Sequence, residues 1–252
     1  MKKRYAIITD IHGNKEALES ILDDIKKQNI DETYCLGDTI GIGPESKECI
    51  DILIKNKIKS ILGNHELYTL RGNQIEELDQ NEIDHNNWVS STLTKKELDY
   101  ISASPLFYEI NIDYDNKIPN NKIVLCHYLI KDNNKDYPFE KSKLNKEVDL
   151  WKKYYDSNIT YVVGHLHKLI DINSVPGIKG DIILDTGTLT NIEVIPSSGC
   201  SKDEYVYYMI IEISKSIKYE LVKVKYDREK FMKKLDIINY PDKDNILEIF
   251  FK

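Results

Sequence analysis

Five short polar phrases punctuate the 252-residue chain: Asp10-Ile11-His12, Gly37-Asp38, Gly63-Asn64-His65-Glu66, a lone His127, and Gly164-His165-Leu166-His167. Their donors are imidazole nitrogen, carboxylate oxygen and one carboxamide, with no thiolate. That chemistry suits Mn, Fe, Zn, Ni or Co in a reactive site better than it suits a structural zinc. Seven such residues, Asp10, His12, Asp38, Asn64, His127, His165 and His167, are too many for one tetrahedral ion. They suit two ions sharing a bridging carboxylate. Singly, each phrase also has an ordinary reading. A D-x-H after a strand is commonly a turn, and Asp after Gly is usual turn chemistry. Asn64 reads equally as a helix N-cap, and a single histidine at a strand end reads as a core residue. Two histidines two apart on an extended segment point the same way, which makes the last phrase more specific. All five together, in this order, argue for one site.

The phrases need elements to carry them. Residues 4–9 read as a fully buried strand. Residues 15–27 carry Ala17, Leu18, Ile21, Leu22 and Ile25 on one helical face, with Asn14 as N-cap and Glu16 in the first turn. Strands are expected at 33–36 and 58–62 with a helix at 45–55 between them, the alternation that builds a parallel sheet. A helix is expected at 86–101, and strands at 107–112, 122–126, 160–163, 181–184, 204–213 and 218–225. A last amphipathic piece runs over 228–238. Every histidine except His85 then directly follows a strand. The carboxyl ends of strands share one edge of an open α/β sheet, so residues remote in sequence converge there. Gly13, Gly37, Gly63 and Gly164 stand where the backbone turns sharply beside these residues.

Bulk properties narrow the class. A formal charge of -7 argues against a nonspecific grip on nucleic acid. The apolar run after the basic start is about five residues, short of the roughly seven to fifteen of a signal peptide. Nothing approaches the roughly eighteen apolar residues of a membrane span. Cys35, Cys49, Cys126 and Cys200 form no C-x-x-C pair, as expected of a reduced cytoplasmic protein with buried or inert thiols. One domain over 1–252 is expected, with an insertion at about 132–155 and an unmatched tail after about 197. Oligomeric state is not legible.

The five phrases, together with TDIHGNKEALESIL, CLGDTIGIGPES and NNWVSSTLTKKELDYI, resemble the calcineurin-like metallophosphoesterase superfamily, in its small stand-alone bacterial phosphodiesterase-like branch. The likeness covers about residues 4–190. The stretch Ile183-Leu184-Asp185-Thr186-Gly187-Thr188 is similar to the N-P-G-S segment of that branch, with departures. The resemblance implies a four-layer α/β/β/α sandwich and two divalent metal ions. Asp10, His12 and His167 would hold one ion and Asn64, His127 and His165 the other, with Asp38 bridging and His65 facing the substrate beside Asn64. Mn or Fe is expected first, with Zn, Ni or Co next. The reaction expected is hydrolysis of a small-molecule phosphate ester, a diester favoured, by a metal-bridging hydroxide. His65 would stabilise developing charge and protonate the leaving oxygen. Ser/Thr phosphatases and dinucleoside tetraphosphate hydrolases usually extend the second phrase to G-D-x-V-[DN]-R-G. Here Ile42 stands at the arginine position, and the chain's arginines are Arg4, Arg71 and Arg228. Loss of that bidentate clamp weakens the case for a phosphomonoesterase, a protein phosphatase or a dinucleoside polyphosphate hydrolase. A metal-free binding scaffold would have lost ligands, and none of the seven is missing.

Overall fold

The structure, a computed structural model, describes residues 2–75, 78–112, 122–128, 159–165, 167, 182–183 and 189–252. The expected insertion at 132–155 lies outside the described residues. The first strand β1 (Lys3–Ile8), the helix α1 (Lys15–Ile25), β2 (Glu32–Cys35), α2 (Ser46–Lys55) and β3 (Lys59–Ser60) follow the expected alternation, and β1, β2 and β3 pair in parallel. The apolar face of α1 is the one read from its spacing, and the Asn14 side chain caps it by accepting the Ala17 N–H at 3.0 Å. β1 is buried only from Ala6 onward. Lys3 is exposed and Arg4 and Tyr5 are partly so, because that end of the strand reaches the rim of the sheet.

Next come α3 (Asn64–Arg71), α4 (Gln80–Thr92) and α5 (Lys95–Ala103). The helix expected over 86–101 is therefore two helices. Leu93 adopts extended backbone, and Thr94 starts a new helix in which Glu97 reaches back to the Thr94 N–H at 2.8 Å. This is a capping box, whose T-x-x-E signature outweighs the continuing apolar spacing.

A second sheet holds β4 (Phe107–Asn111), β5 (Lys122–Cys126), β6 (Ile159–Val163), β7 (Ile182–Ile183) and β8 (Leu189–Val194), in the order β4-β5-β6-β8-β7. β8 was not expected from the sequence. The long strands β9 (Tyr205–Ile213) and β10 (Ile217–Lys225) form a hairpin that joins the first sheet, whose order is β10-β9-β1-β2-β3. The segment after 197 thus supplies two of that sheet's five strands, with β9 antiparallel to β1. The chain ends in α6 (Arg228–Ile237), the single turn α7 (Lys243–Ile246) and a π-helical turn (Leu247–Phe251).

The protein is a mixed α/β structure of the α/β/β/α sandwich type. The two sheets face each other across one core, where Ile7, Leu36 and Ile211 of the first meet Ile123, Leu125 and Val162 of the second. The other face of the first sheet is covered by α1 and α6, through Leu18, Ile21, Phe231 and Leu235. Phe231 is fully buried, its ring edge-on to Phe251 at 5.1 Å. Phe231→Ala leaves a cavity there and is expected to lower unfolding free energy by about 3–5 kcal/mol in urea denaturation. A loss under about 1 kcal/mol would mean that the C-terminal helix contributes little to this core.

Candidate metal centre

The loops leaving β1, β2, β5 and β6, and the start of α3, meet at one rim of the two sheets. All eight residues singled out in the sequence for chemistry come together there. Five of them, Asp10, His12, Asp38, His165 and His167, have φ between 50° and 67°, the left-handed region that L-residues with a side chain adopt only under constraint. His165 and His167 are therefore not extended, contrary to the alternation expected of them. The left-handed turns send the two histidines to different partners.

The donors fall into two groups. In the first, His12 Nε2 lies 2.8 Å from His167 Nε2, and Asp10 Oδ1 lies 3.7 Å from His12 Nε2 and 3.3 Å from His167 Nε2. In the second, His127 Nε2 lies 3.2 Å from Asn64 Oδ1 and 3.2 Å from His165 Nδ1. Asp38 Oδ2 stands between the groups, 3.1 Å from His127 Nε2 and 3.8 Å from His12 Nε2.

Three features make these donors fit for divalent cations. The Thr9 hydroxyl, at 2.6 Å, and the His165 N–H, at 2.9 Å, both donate to Asp10 Oδ2, while Oδ1 is buried with no hydrogen-bond partner among the described residues. A bare carboxylate oxygen in that position is costly unless a cation completes it. His12 Nδ1 faces the Ile40 carbonyl at 3.2 Å and His127 Nδ1 faces the Leu36 carbonyl at 2.7 Å. Each Nδ1–H donates outward, which turns Nε2 into the cage, the orientation usual for metal-bound histidine. The electrostatics agree. Burial alone would raise the Asp10 and Asp38 carboxyls, but the surrounding imidazoles outweigh it and hold both well below the usual range. Burial likewise pulls His127 down, and the two carboxylates overcome it and leave His127 at about 9. Two anions crowded into an apolar rim call for positive charge.

Each loop is held by its own fastener. Glu66 accepts the N–H groups of Asp38 at 2.8 Å, Thr39 at 2.8 Å and Gly63 at 3.0 Å, so that one buried carboxylate orients the second and third phrases. Asn64 is the first residue of α3 and Gly63 is its cap, which sets aside the capping reading of Asn64. Gly164 packs so closely that a Cβ there would lie 2.0 Å from Thr9 Oγ1. His85, outside the expected pattern, accepts the Ile42 N–H at its Nε2 (2.9 Å) and donates from Nδ1 to the Pro241 carbonyl (3.1 Å). It ties the loop after β2 to the C-terminal segment. Glu66→Gln puts an amide NH₂ where an acceptor is needed. We expect a loss of about 1–3 kcal/mol of stability from an unsatisfied buried N–H, measured by denaturant titration; an unchanged midpoint would remove Glu66 from this role.

The centre opens into a cleft of about 680 Å³, with Lys202, Tyr205, Tyr207, Ile249 and Phe250 on its outer walls. His65 edges into this cleft, its ring 5.0 Å from that of His12 and 5.6 Å from that of Tyr68. Burial, partly offset by the Asp38 carboxylate, pushes the His65 imidazole down to about 3. No local pattern marks Glu66 as a fastener, His85 as a strut, or the Phe250 wall. The segment that closes the centre next to Asp10 is 195–200, downstream of the stretch likened to N-P-G-S, of which residues 184–188 lie outside the described residues.

The calcineurin-like phosphoesterase family model matches residues 3–184, which span every one of these donors. The chain belongs to this family. It is 28% identical over 251 residues to an uncharacterized protein of Methanocaldococcus jannaschii, across 93% of each chain. A 67-residue stretch, a quarter of each chain, is 37% identical to the symmetrical bis(5'-nucleosyl)-tetraphosphatase of Haemophilus ducreyi. The fold matches the crystal structure of a metallophosphoesterase from Sphaerobacter thermophilus with a TM-score of 0.64 at 20% identity, over 97% of each chain. As a calcineurin-like phosphoesterase, the protein is a hydrolase acting on phosphate esters. Among the described residues no helix is long and apolar enough to cross a membrane.

Proposed function

We propose that the protein hydrolyses small phosphodiesters at a two-metal centre. One cation would be held by Asp10, His12 and His167, the other by Asn64, His127 and His165, with Asp38 shared between them. When bound, two such cations supply Lewis-acid neutralisation of the phosphoryl oxygens and lower the pKa of water so that it attacks near neutral pH. The chain supplies the rest. The Nε2 atoms of His12 and His127 and the anchored carboxylates of Asp10 and Asp38 already face the cage, and His127, raised to about 9 by the two carboxylates, would give up its Nε2 proton on binding. Asn64 is neutral and leaves its cation more acidic than a carboxylate would. His65, held neutral, is suited to donate an N–H hydrogen bond to the leaving oxygen. This favours charge stabilisation over proton donation among the two roles expected of it.

The observation that carries the diester preference is the lining of the cleft. Among its described lining residues Lys202 is the only lysine or arginine, and it stands on the outer wall. Ile42 occupies the clamp position, and its side chain is buried. A monoester dianion would find no bidentate guanidinium among the described lining residues. A diester, with one charge fewer and a second organic group, finds apolar wall in Ile249, Phe250, Tyr205 and Tyr207. The partial likeness to a bis(5'-nucleosyl)-tetraphosphatase supports a second reading, hydrolysis of a dinucleoside polyphosphate. One rim lysine is a poor match for four phosphates. Metal-loaded protein assayed in parallel on bis(p-nitrophenyl) phosphate, p-nitrophenyl phosphate and diadenosine tetraphosphate separates these readings. The diester should turn over fastest. Faster monoester or tetraphosphate hydrolysis would replace the diester reading, and no turnover with Mn, Fe, Zn, Ni or Co would refute it.

A further inference from the structure

We propose that Cys200 is a thiolate ligand of the cation held by Asp10, His12 and His167, an addition to the nitrogen and oxygen donors that rests on the two-metal reading above. Its Sγ and one ring nitrogen from each of His12 and His167 lie within 4.8 Å of one another, the spacing of donors around a single ion. Four donors arranged tetrahedrally at bond lengths of roughly 2.0–2.3 Å are roughly 3.3–3.8 Å apart. Asp10 Oδ1, fully buried and without a hydrogen-bond partner among the described residues, lies 3.3 Å from His167 Nε2 and 3.7 Å from His12 Nε2, so that with the shared Asp38 this cation would have oxygen, nitrogen and sulfur donors.

The loop around Cys200 is built to hold it there. Ser197 Oγ donates to the Asp10 carbonyl at 2.6 Å and accepts the Cys200 N–H at 2.7 Å. The Asn14 side chain donates to the Gly199 carbonyl at 2.7 Å. Gly199 presses so closely on the first phrase that a Cβ would lie 1.8 Å from the Ile11 carbonyl oxygen. The thiol is thus fastened to the same loop as Asp10 and His12. It is buried yet lines the cleft, unlike Cys35, Cys49 and Cys126, which lie within the protein away from that lining. On coordination the S–H bond breaks, the proton leaves to solvent and the sulfur lone pair takes the ion. A thiolate shifts the preference of this seat from Mn towards Zn, Fe or Co.

The test is the absorption spectrum of protein loaded with Co(II), with cobalt content measured on the same samples. The wild-type chain should show a near-ultraviolet sulfur-to-cobalt charge-transfer band. Cys200→Ser should lose that band, keep the visible ligand-field bands, and bind Zn on the order of tenfold or more weakly with Mn binding little changed. Two cobalt ions bound without the charge-transfer band, or a band that persists in Cys200→Ser, would overturn the assignment and leave the two-metal reading standing. No bound cobalt would overturn both. Should the variant not fold, alkylation of the wild-type chain mapped by mass spectrometry decides: Cys200 protected by metal supports the proposal, and equal labelling with and without metal contradicts it.

Discussion

Asp38→Ala is expected to empty both cation seats and abolish turnover. Its Oδ2 is 3.1 Å from His127 Nε2 in one group and 3.8 Å from His12 Nε2 in the other, which places this carboxylate oxygen to serve both. Its Oδ1 is already engaged by the His65 N–H at 3.0 Å, which fixes the rotamer. Removing the side chain deletes a shared ligand and also takes away one of the two carboxylate charges that face the imidazoles. Metal analysis should find occupancy falling from two ions per chain towards none, with folding retained because Glu66 still holds the surrounding loop. Full occupancy in Asp38→Ala would contradict the bridging position.

His65→Ala is expected to do the opposite: keep the ions and lose the rate. None of the donor distances that define the two groups involves the His65 ring, which reaches from the start of α3 into the cleft. Loss of a positioned group that stabilises the departing oxygen typically costs about 10²–10⁴-fold. A steady-state assay on bis(p-nitrophenyl) phosphate at saturating metal measures it. Because His65 is held neutral, His65→Gln, which still offers an N–H, should recover part of the loss. Turnover in His65→Ala equal to that of the unaltered chain would remove His65 from the chemistry, and equal rates for the Ala and Gln variants would remove the hydrogen-bond role.

The convergence of the candidate site's residues was more legible in the sequence than the framework around them. Asp10, Asp38, Asn64 and the five histidines stand out because metal-capable side chains are uncommon at the ends of apolar strands, and five such coincidences reinforce one another. β1, β2, α1 and α2 were legible for a related reason: parallel strands and their covering helices carry strong apolar periodicity. The break between α4 and α5 was written in Thr94 and Glu97 but masked by the apolar residues running through it. β3 shrank to Lys59–Ser60 because a short edge strand pairs on one side only. The position of β9 beside β1 is a pairing across some two hundred residues of sequence, and no local pattern encodes it. Cys200 is of the same kind. Nothing in its neighbours marks it, and only the fastening of Ser197 and Gly199 to the first loop brings its sulfur to His167.

The most direct test of the two-metal centre is anomalous diffraction from crystals of the metal-loaded chain, recorded above the absorption edge of the bound metal. Two peaks about 3.5–4 Å apart are expected, one among Asp10, His12 and His167, the other among Asn64, His127 and His165, with Asp38 between them. A single peak, or peaks away from these residues, would contradict it.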